Sequence, residues 1–175
     1  DDVMHYKLKS EMKAYYHKAN VPTARYHIVS TLEAGKEFIS KVGYPVVVKP
    51  NNGVGSSATW KICNDGELED FYKIQLPHEY IMEEYVPGYI LSFDGIVDEN
   101  NKIVYRTCHV FPNPVMEIVN GKTDCVFWNE IDIPKDLNQM GERLIHAFDL
   151  RSRFFHTEYF RMTEDKEGVG KKGHL

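Results

Sequence analysis

Hydrophobic residues in the first half of the chain recur at helical spacing in some stretches and at strand-like spacing in others. The first helical run stops at Pro22. The next follows Ser30 and Glu33, which form a capping-box pattern, and ends at Gly43, a residue suited to a helix C-terminus. The pattern predicts, in order, a helix over residues 8–19, a strand over 26–29, a helix over 31–42, strands over 44–49 and 59–63, and a short helix capped by Asn64 and Glu67.

From residue 80 onward the pattern changes to successive strands. It predicts strands over residues 80–86, 90–97 and 103–111, a hairpin turned at Asn120-Gly121, an amphipathic helix over 137–148, a strand over 153–162 and a glycine-rich turn over 163–173. No internal repeat or low-complexity linker divides the chain, so the change near residue 80 is the candidate lobe boundary. We expect an α+β protein with two lobes, residues 1–82 and 83–175.

Length and composition are those of an ordinary soluble globular protein. The chain has 175 residues, of which 42% are hydrophobic and 27% charged. We find no apolar run that approaches the ~18 residues of a membrane span and no signal-peptide pattern, so we expect a cytoplasmic protein with no membrane partner. The net charge of -5, with dispersed Lys and Arg, argues against a nucleic-acid partner. Cys63, Cys108 and Cys125 lack zinc spacing and predict free thiols.

A lysine at the end of a predicted buried strand is followed by a loop with two glycines. Lys49 ends the strand, and the loop continues through Gly53, Val54, Gly55, Ser56 and Ser57. Free backbone N–H groups in such a loop can wrap oxyanions, and the lysine adds a point charge for a phosphate. The alternative is that Lys49 snorkels at a strand end and that the glycines serve a tight turn.

Other phosphate-binding motifs do not fit this segment. The dinucleotide-binding fingerprint must open a helix, whereas the residues after Ala58 are typical of a strand. A protein kinase places its glycine loop before the lysine strand, which is the reverse of the order in this chain. The Walker pattern is absent from the sequence.

The pattern that remains extends over essentially the whole chain and resembles the ATP-grasp family. Lys9, on the helix before the Val-Pro-Thr-Ala turn of residues 21–24, is similar to the family's first nucleotide-binding lysine, with Asn20 where the family has glycine. Lys49 and the loop of residues 53–57 resemble the second lysine and the phosphate-covering loop. The resemblance implies an ATP-grasp fold, two α+β lobes with the nucleotide site between them, and ATP with Mg²⁺ as the ligands.

Residues 81–88 resemble the family's interlobe hinge. The resemblance implies that adenine is read by the backbone of Glu84 and Val86 and by the side of Glu83. Taken locally, the two glutamates are also typical of a solvated acidic strand edge. The family commonly has a ribose-binding glutamate two residues after the hinge glycine, where this chain has Ile90, so Asp94 is the candidate substitute.

A carboxylate also stands out in the last predicted strand. Alternation places Glu158 and His156 on a face with Phe160, where a carboxylate is costly to bury unless a cation meets it. The resemblance implies that Glu158 ligates Mg²⁺ bridging the ATP phosphates. The alternative is a structural ion pair with Arg161, Arg153 or a lysine.

One histidine lies on a strand that would face the cleft of such a fold. His109 is therefore a candidate for contact with phosphate or substrate, although a lone strand histidine is more often structural. Arg106, three residues earlier, should lie on the opposite face of a regular strand. No catalytic nucleophile is assigned, because the chemistry implied by the resemblance depends on positioning and charge neutralisation.

The resemblance implies an ATP-dependent ligase that phosphorylates a carboxylate or bicarbonate for attack by an amine or another nucleophile. Carbamoyl-phosphate synthetase-like and biotin carboxylase-like enzymes compete with peptide and amino-acid ligases in this interpretation. The family has a further strand with a glutamate and an asparagine where this chain ends, so we expect the final strands to be missing. A non-catalytic nucleotide-binding module, or an inactive fragment of a larger enzyme, is the alternative. A homodimer is left open.

Overall fold

The structure, a computed structural model, describes residues 4–53, 58–113, 121 and 124–175. The chain divides into two compact units. Unit 1 comprises Asp1–Lys13 and Thr23–Val86, and unit 2 comprises Ala14–Pro22 and Pro87–Leu175. The first helix, α1 (Lys9–Lys18), therefore contributes residues to both units.

Unit 1 is built on a four-stranded antiparallel sheet. Its strands are β1 (Tyr26–Ile28), β2 (Val46–Pro50), β3 (Trp60–Ile62) and β4 (Tyr80–Glu84), in the spatial order β1-β4-β2-β3. Its helices are α2 (Leu32–Val42) and α3 (Asp65–Tyr72), with a short 3-10 turn over Met4–Tyr6. Buried residues of α2, α3 and one sheet face, among them Ile39, Leu68 and Met82, form a single hydrophobic core.

Helix boundaries in unit 1 follow local capping. Asn64 accepts a hydrogen bond from the backbone N–H of Glu67 at 3.0 Å, which confirms the predicted cap of α3. The predicted cap of α2 at Ser30 is wrong: Thr31 accepts the bond from the N–H of Ala34 at 3.2 Å. Both hydroxyl residues can cap a helix, so the sequence did not decide between two adjacent positions.

Unit 2 contains the second antiparallel sheet and one covering helix. The strands are β5 (Gly88–Val97), β6 (Ile103–Phe111), β7 (Trp128–Glu130) and β8 (Arg153–Met162), in the order β7-β6-β5-β8, and the helix is α4 (Lys135–Ala147). Helix α4 lies so close to β5 that a Cβ added at Gly141 would overlap the ring of Phe93. Leu137, Leu144 and Ile145 of α4 are fully buried.

The register of this sheet decides which side chains share its other face. Ser92 lies opposite Glu158 and Asp94 opposite His156, so these four side chains project from the same face of β5 and β8. Phe93 and its neighbours across the strands project toward α4.

The α+β class predicted from the sequence is confirmed. All three cysteines are free, as predicted, with Cys108 buried and the other two exposed. Asn20, which stands where the family has glycine, has a φ of 53° and so occupies the left-handed region that asparagine tolerates better than most residues. Among the described residues, no helix combines the length and apolar character required to cross a membrane.

Candidate functional site

Two adjacent glutamates on β4 are both buried. Glu83 and Glu84 point to opposite faces of the sheet because side chains alternate along a strand. Only 8% of Glu83 and 3% of Glu84 is exposed, since β4 lies between β1 and β2. A buried carboxylate needs charged partners, so the interpretation of this pair as a solvated acidic strand edge is wrong.

The Glu84 carboxylate is held entirely by one arginine. Arg25 donates to it from its backbone N–H at 2.7 Å, from Nε at 2.9 Å and from Nη2 at 2.7 Å. The backbone N–H of Glu84 donates in turn to the Arg25 carbonyl oxygen at 3.0 Å. The side chain and the backbone N–H of Glu84 are thus both engaged within unit 1.

Glu83 is shared by two lysines from different parts of unit 1. Its Oε1 lies 3.0 Å from the Lys13 ammonium and its Oε2 lies 2.5 Å from the Lys49 ammonium. Lys13 also donates to the Ala24 carbonyl at 2.8 Å and lies 5.2 Å from the centre of the Tyr26 ring. Burial raises the pKa of the Glu83 carboxyl, but the charge of Lys49 and then of Lys13 outweighs burial and leaves the pKa below its ordinary value.

Lys9 lies at the entrance to the predicted glycine loop. Its ammonium donates to the carbonyl oxygens of Pro50 at 2.8 Å and Gly53 at 2.9 Å. Burial lowers the pKa of Lys9, the positive charge of Lys49 lowers it further, and Glu83 offsets part of the shift. The two predicted phosphate-binding lysines of unit 1 are therefore close enough for their charges to interact.

The residues of the predicted phosphate-covering loop cannot be placed with the lysines. Val54, Gly55, Ser56 and Ser57 lie outside the described residues, and Gly53 is the last described residue before them. Val86, the other predicted adenine contact, is partly buried just beyond the end of β4. The proposed roles of these residues stay predictions.

In unit 2, Asp94 on β5 is the centre of a second polar group. Its carboxylate lies 2.9 Å from Nδ1 of His109 and also contacts Nδ1 of His156 and the hydroxyl of Ser92. Burial raises the pKa of Asp94, but hydrogen bonds from His156, Ser92 and His109 together bring it below its ordinary value. Asp94 and His109, predicted separately, thus belong to one cluster.

Glu158 lies on the open face of the same sheet. Its side chain is 44% exposed and its Oε1 lies 3.3 Å from Nε2 of His156. Glu158 lies on the same strand face as Phe160, as alternation predicts, but this face is open rather than buried, because Phe160 is 38% and Phe154 79% exposed. Arg161, proposed as an ion-pair partner, instead binds Asp136 of α4.

The imidazole of His156 connects the two carboxylates of this face. Its Nδ1 contacts Asp94 and its Nε2 faces Glu158. These hydrogen bonds, that to Asp94 first, raise the pKa of His156 to about 10. A protonated His156 therefore balances part of the negative charge of Asp94 and Glu158 in this state of the protein.

The described residues fit Mg²⁺ only in combination with a phosphate ligand. No group of three or more His, Cys, Asp or Glu residues within the described ranges is arranged to hold a metal ion. Glu158 is nevertheless an accessible carboxylate, and Mg²⁺ in nucleotide sites takes one or two carboxylates together with phosphate oxygens and water. Glu158 thus fits the role of one ligand among several.

Comparisons with known proteins bear on the fold and on the class of relatives. Residues 9–80 match the family model described as carbamoyl-phosphate synthase L chain, ATP binding domain. The chain is 31% identical over 103 residues to the chloroplastic phosphoribosylamine–glycine ligase of Arabidopsis thaliana, a match that covers 54% of this chain and 19% of that protein.

Solved structures decide the fold. D-alanyl-alanine synthetase A from Vibrio cholerae aligns with a TM-score of 0.67 at 14% identity, over 90% of this chain and 52% of that chain. The ATP-grasp ligase PsnB in complex with a minimal precursor aligns with a TM-score of 0.62 at 16% identity, over 91% of this chain and 48% of that chain. This chain has the ATP-grasp fold. The resemblance predicted from the sequence is confirmed.

The chain is much shorter than a further solved structure to which it is similar, an ADP complex of N5-carboxyaminoimidazole ribonucleotide synthetase. It aligns with a TM-score of 0.69 at 16% identity, over 94% of this chain but only 44% of that chain. The chain also spans only 19% of the curated plant relative. The activity and substrates of the whole protein are therefore a matter of proposal.

Three residues that hold the polar groups of unit 1 together were not predicted from the sequence as site residues: Lys13, Arg25 and Asn51. Asn51 is 1% exposed; its amide donates to the Ser10 hydroxyl at 2.9 Å and to Glu79 at 2.5 Å, and its side-chain oxygen accepts from the N–H of Ser10 at 3.0 Å. It thereby ties the start of α1 to the end of β2. The position of Lys13 four residues after Lys9 was the available signal, because such residues share a helix face.

Proposed function

We propose that this chain is the nucleotide-binding part of an ATP-dependent ligase that phosphorylates a carboxylate or bicarbonate to an acyl phosphate. An amine or another nucleophile would then displace the phosphate, so that a carbon–nitrogen bond is the expected product. The observation that carries the proposal is a concentration of positive charge near Gly53. The ammonium groups of Lys13 and Lys49 share the carboxylate of Glu83, and that of Lys9, bound to the Gly53 carbonyl, lies near enough for the charge of Lys49 to lower its pKa.

Lys9 and Lys49 are the proposed phosphate-binding side chains. The Lys49 side chain keeps 28% of its surface exposed, and the Lys9 ammonium is held by two carbonyl oxygens that a phosphate could replace. The loop of residues 53–57 would add backbone N–H groups. Charge neutralisation and positioning of the phosphates would supply most of the rate, as in other phosphoryl transfers.

The nucleoside would be bound through the main chain after β4. Glu84 offers its carbonyl oxygen to the adenine amino group, since its own N–H already donates to Arg25. Val86 would offer its N–H to the ring, and Asp94 is proposed to contact the ribose. The names of the relatives, which are ligases, support the reaction class and leave the carboxylate and the nucleophile open.

Glu158 is the proposed protein ligand of Mg²⁺. When bound, the ion would neutralise phosphate charge and hold the phosphate oxygens in position. Glu158 is accessible on its sheet face, where its carboxylate has a long contact of 3.3 Å with Nε2 of His156. His109 would approach the phosphates or the substrate from the same sheet face, where its Nδ1 is tied to Asp94.

The proposal predicts that ATP with Mg²⁺ stabilises the chain and that Lys49→Ala abolishes this effect. A ligand at a hundred times its dissociation constant adds about 2.7 kcal/mol to the free energy of unfolding, which raises Tm by several degrees. Thermal unfolding with and without MgATP measures the shift. Lys41→Ala is the matched control, because Lys41 is an exposed lysine of unit 1 paired only with Glu37 on its own helix.

A wild-type Tm that does not respond to MgATP would contradict nucleotide binding. An equal shift in wild type and in Lys49→Ala would contradict the role of Lys49. Phosphate release from ATP, screened over carboxylates and amines with the full-length protein, then distinguishes a ligase from a nucleotide-binding module. A module would bind MgATP and release no phosphate with any of them.

A further inference from the structure

Lys13 on α1 shares the Glu83 carboxylate with Lys49 of β2, the proposed phosphate-binding lysine, and this sharing suggests a role for Lys13. Among the described residues of α1, Lys13 alone is buried, with 7% of its surface exposed. Its ammonium has three partners: Glu83, the Ala24 carbonyl and the Tyr26 ring. A ligand therefore has little access to Lys13, whereas the Lys49 side chain is 28% exposed.

The geometry divides Glu83 between the two lysines. Lys13 takes Oε1 at 3.0 Å and Lys49 takes Oε2 at 2.5 Å. Because Lys13 is also held by the Ala24 carbonyl at 2.8 Å, it fixes the plane of the carboxylate and so the position that Lys49 occupies. A flexible lysine side chain is thus held in place before any ligand arrives.

The charges of this group give Lys13 a second effect. Lys49 and Glu83 alone would form a neutral pair, which would leave Lys9 as the remaining positive charge beside them. Lys13 adds a buried positive charge, so that the group of two ammonium ions and one carboxylate stays positive. The burial of Lys13 and Glu83 preserves this effect, since buried charges are screened less by salt than exposed ones.

We propose that Lys13 is a positioning and charge-balancing residue, which acts through Glu83 to keep Lys49 oriented and available to the phosphates of a nucleotide. The inference rests on the proposed function and deepens it. It also assigns the Glu83 carboxylate to the lysines and away from direct recognition of adenine.

Calorimetric titration of the whole chain with MgATP tests this role through charge rescue. Lys13→Met leaves Glu83 to neutralise Lys49, and we expect ATP affinity to fall about tenfold, which corresponds to about 1.4 kcal/mol. Lys13→Met with Glu83→Gln removes both charges, frees Lys49 and should return the affinity to within about threefold of wild type. A merely structural role of Lys13 predicts no such recovery, because the double variant loses more of the buried contacts than the single one.

Two further variants complete the test. Lys18→Met removes the same charge from the exposed end of α1 and should leave ATP affinity unchanged. Lys13→Gln keeps a donor for Glu83 or Ala24 without the charge, and it replaces Lys13→Met where circular dichroism shows that the methionine variant does not fold. It should show the same loss and the same rescue by Glu83→Gln.

The outcomes separate this inference from the proposed function. Wild-type protein that does not bind ATP contradicts both. Wild-type binding with undiminished affinity in Lys13→Met, or a double variant as weak as the single one, overturns the role of Lys13 and leaves nucleotide binding standing. Loss in Lys13→Met with recovery in the double variant supports it.

Discussion

Unit 1 and unit 2 each place two carboxylates among charged partners, but they do so in opposite ways. In unit 1, Glu83 and Glu84 are buried on a central strand and are paired with lysines and an arginine. In unit 2, Asp94 and Glu158 share a sheet face that remains partly open, and their common partner is the imidazole of His156.

The difference concerns how accessible the carboxylates are. Glu83 and Glu84 are almost completely buried with their lysine and arginine partners, which keep their charge through the physiological pH range. In unit 2 the partner is also protonated at neutral pH, since the pKa of His156 is raised to about 10, but the Glu158 side chain is 44% exposed and can exchange this partner for a metal ion. The arrangement in unit 1 is therefore part of the folded framework, whereas that in unit 2 leaves a carboxylate accessible to a ligand.

The largest expected effect tests the buried side of this comparison. Arg25→Met removes the two side-chain donors to Glu84, Nε and Nη2, and keeps only the backbone N–H of residue 25, so it leaves a carboxylate whose side chain is 1% exposed without a cation. Breaking a buried pair in this way costs about 3–5 kcal/mol. The free energy of unfolding in urea measures the loss.

A second variant identifies the cause of that loss. Arg25→Met with Glu84→Leu removes the uncompensated charge and should recover much of the stability. Lys36→Met breaks the exposed pair with Glu69 and should cost about 0–1 kcal/mol. If Arg25→Met costs no more than Lys36→Met, the carboxylates of unit 1 are not held as we describe.

Hydrophobic alternation in the sequence predicts the strands of unit 2 well, but it does not predict which face of the sheet is covered. Strands β6 and β8 have the predicted bounds, residues 103–111 and 153–162, because hydrophobic alternation and flanking turn residues mark them clearly. Alternation also places His156 and Glu158 together. It cannot decide which face is covered, since Phe155 and Phe154 are equally apolar and only the packing of α4 buries the first.

The charged partners of unit 1 were harder to predict for a related reason. Lys13 lies on a helix with other polar residues, where a lysine is ordinarily solvated. Arg25 precedes a strand of only three residues. Arg25 pairs with Glu84, 59 positions later, and Lys13 pairs with Glu83, 70 positions later. The local sequence pattern contains no information on pairs so far apart.

A smaller effect, of opposite pH direction in the two units, would sharpen the comparison. The pKa of His156 is raised to about 10, so its contribution to stability is complete below about pH 6.5 and is lost as the pH rises through 10. The pKa of Glu83 is lowered in the folded protein. Its contribution to stability is therefore complete above the ordinary pKa of a glutamate and is lost as the pH falls through the lowered pKa. Urea unfolding from pH 4 to pH 10 in the presence of EDTA follows both.

The variants of this experiment separate the two units. The stability difference between wild type and His156→Gln should shrink as the pH rises from about 6.5 to 10, whereas the difference between wild type and Lys13→Met with Glu83→Gln should shrink only toward acid. His156 is largely exposed, so only the direction of its effect is expected to be robust to salt. A His156→Gln difference that is constant across this range would contradict the pairing seen in unit 2.

The smallest expected change in stability belongs to Glu158→Gln, and it tests whether the open face of unit 2 serves a ligand. Glu158 is 44% exposed and its one described contact, with His156, is long at 3.3 Å, so the substitution should change the free energy of unfolding by less than about 0.5 kcal/mol. If Glu158 ligates Mg²⁺, the same substitution should raise the Mg²⁺ concentration at which ATP stabilises the chain, because one charged ligand is lost.

Tm measured with ATP over a Mg²⁺ series gives that concentration. Glu130→Gln, a substitution on β7 of the same sheet, should leave it unchanged. A large loss of stability with unaltered Mg²⁺ dependence would show that Glu158 has a structural role. The carboxylates of unit 2 would then resemble the buried, structural carboxylates of unit 1.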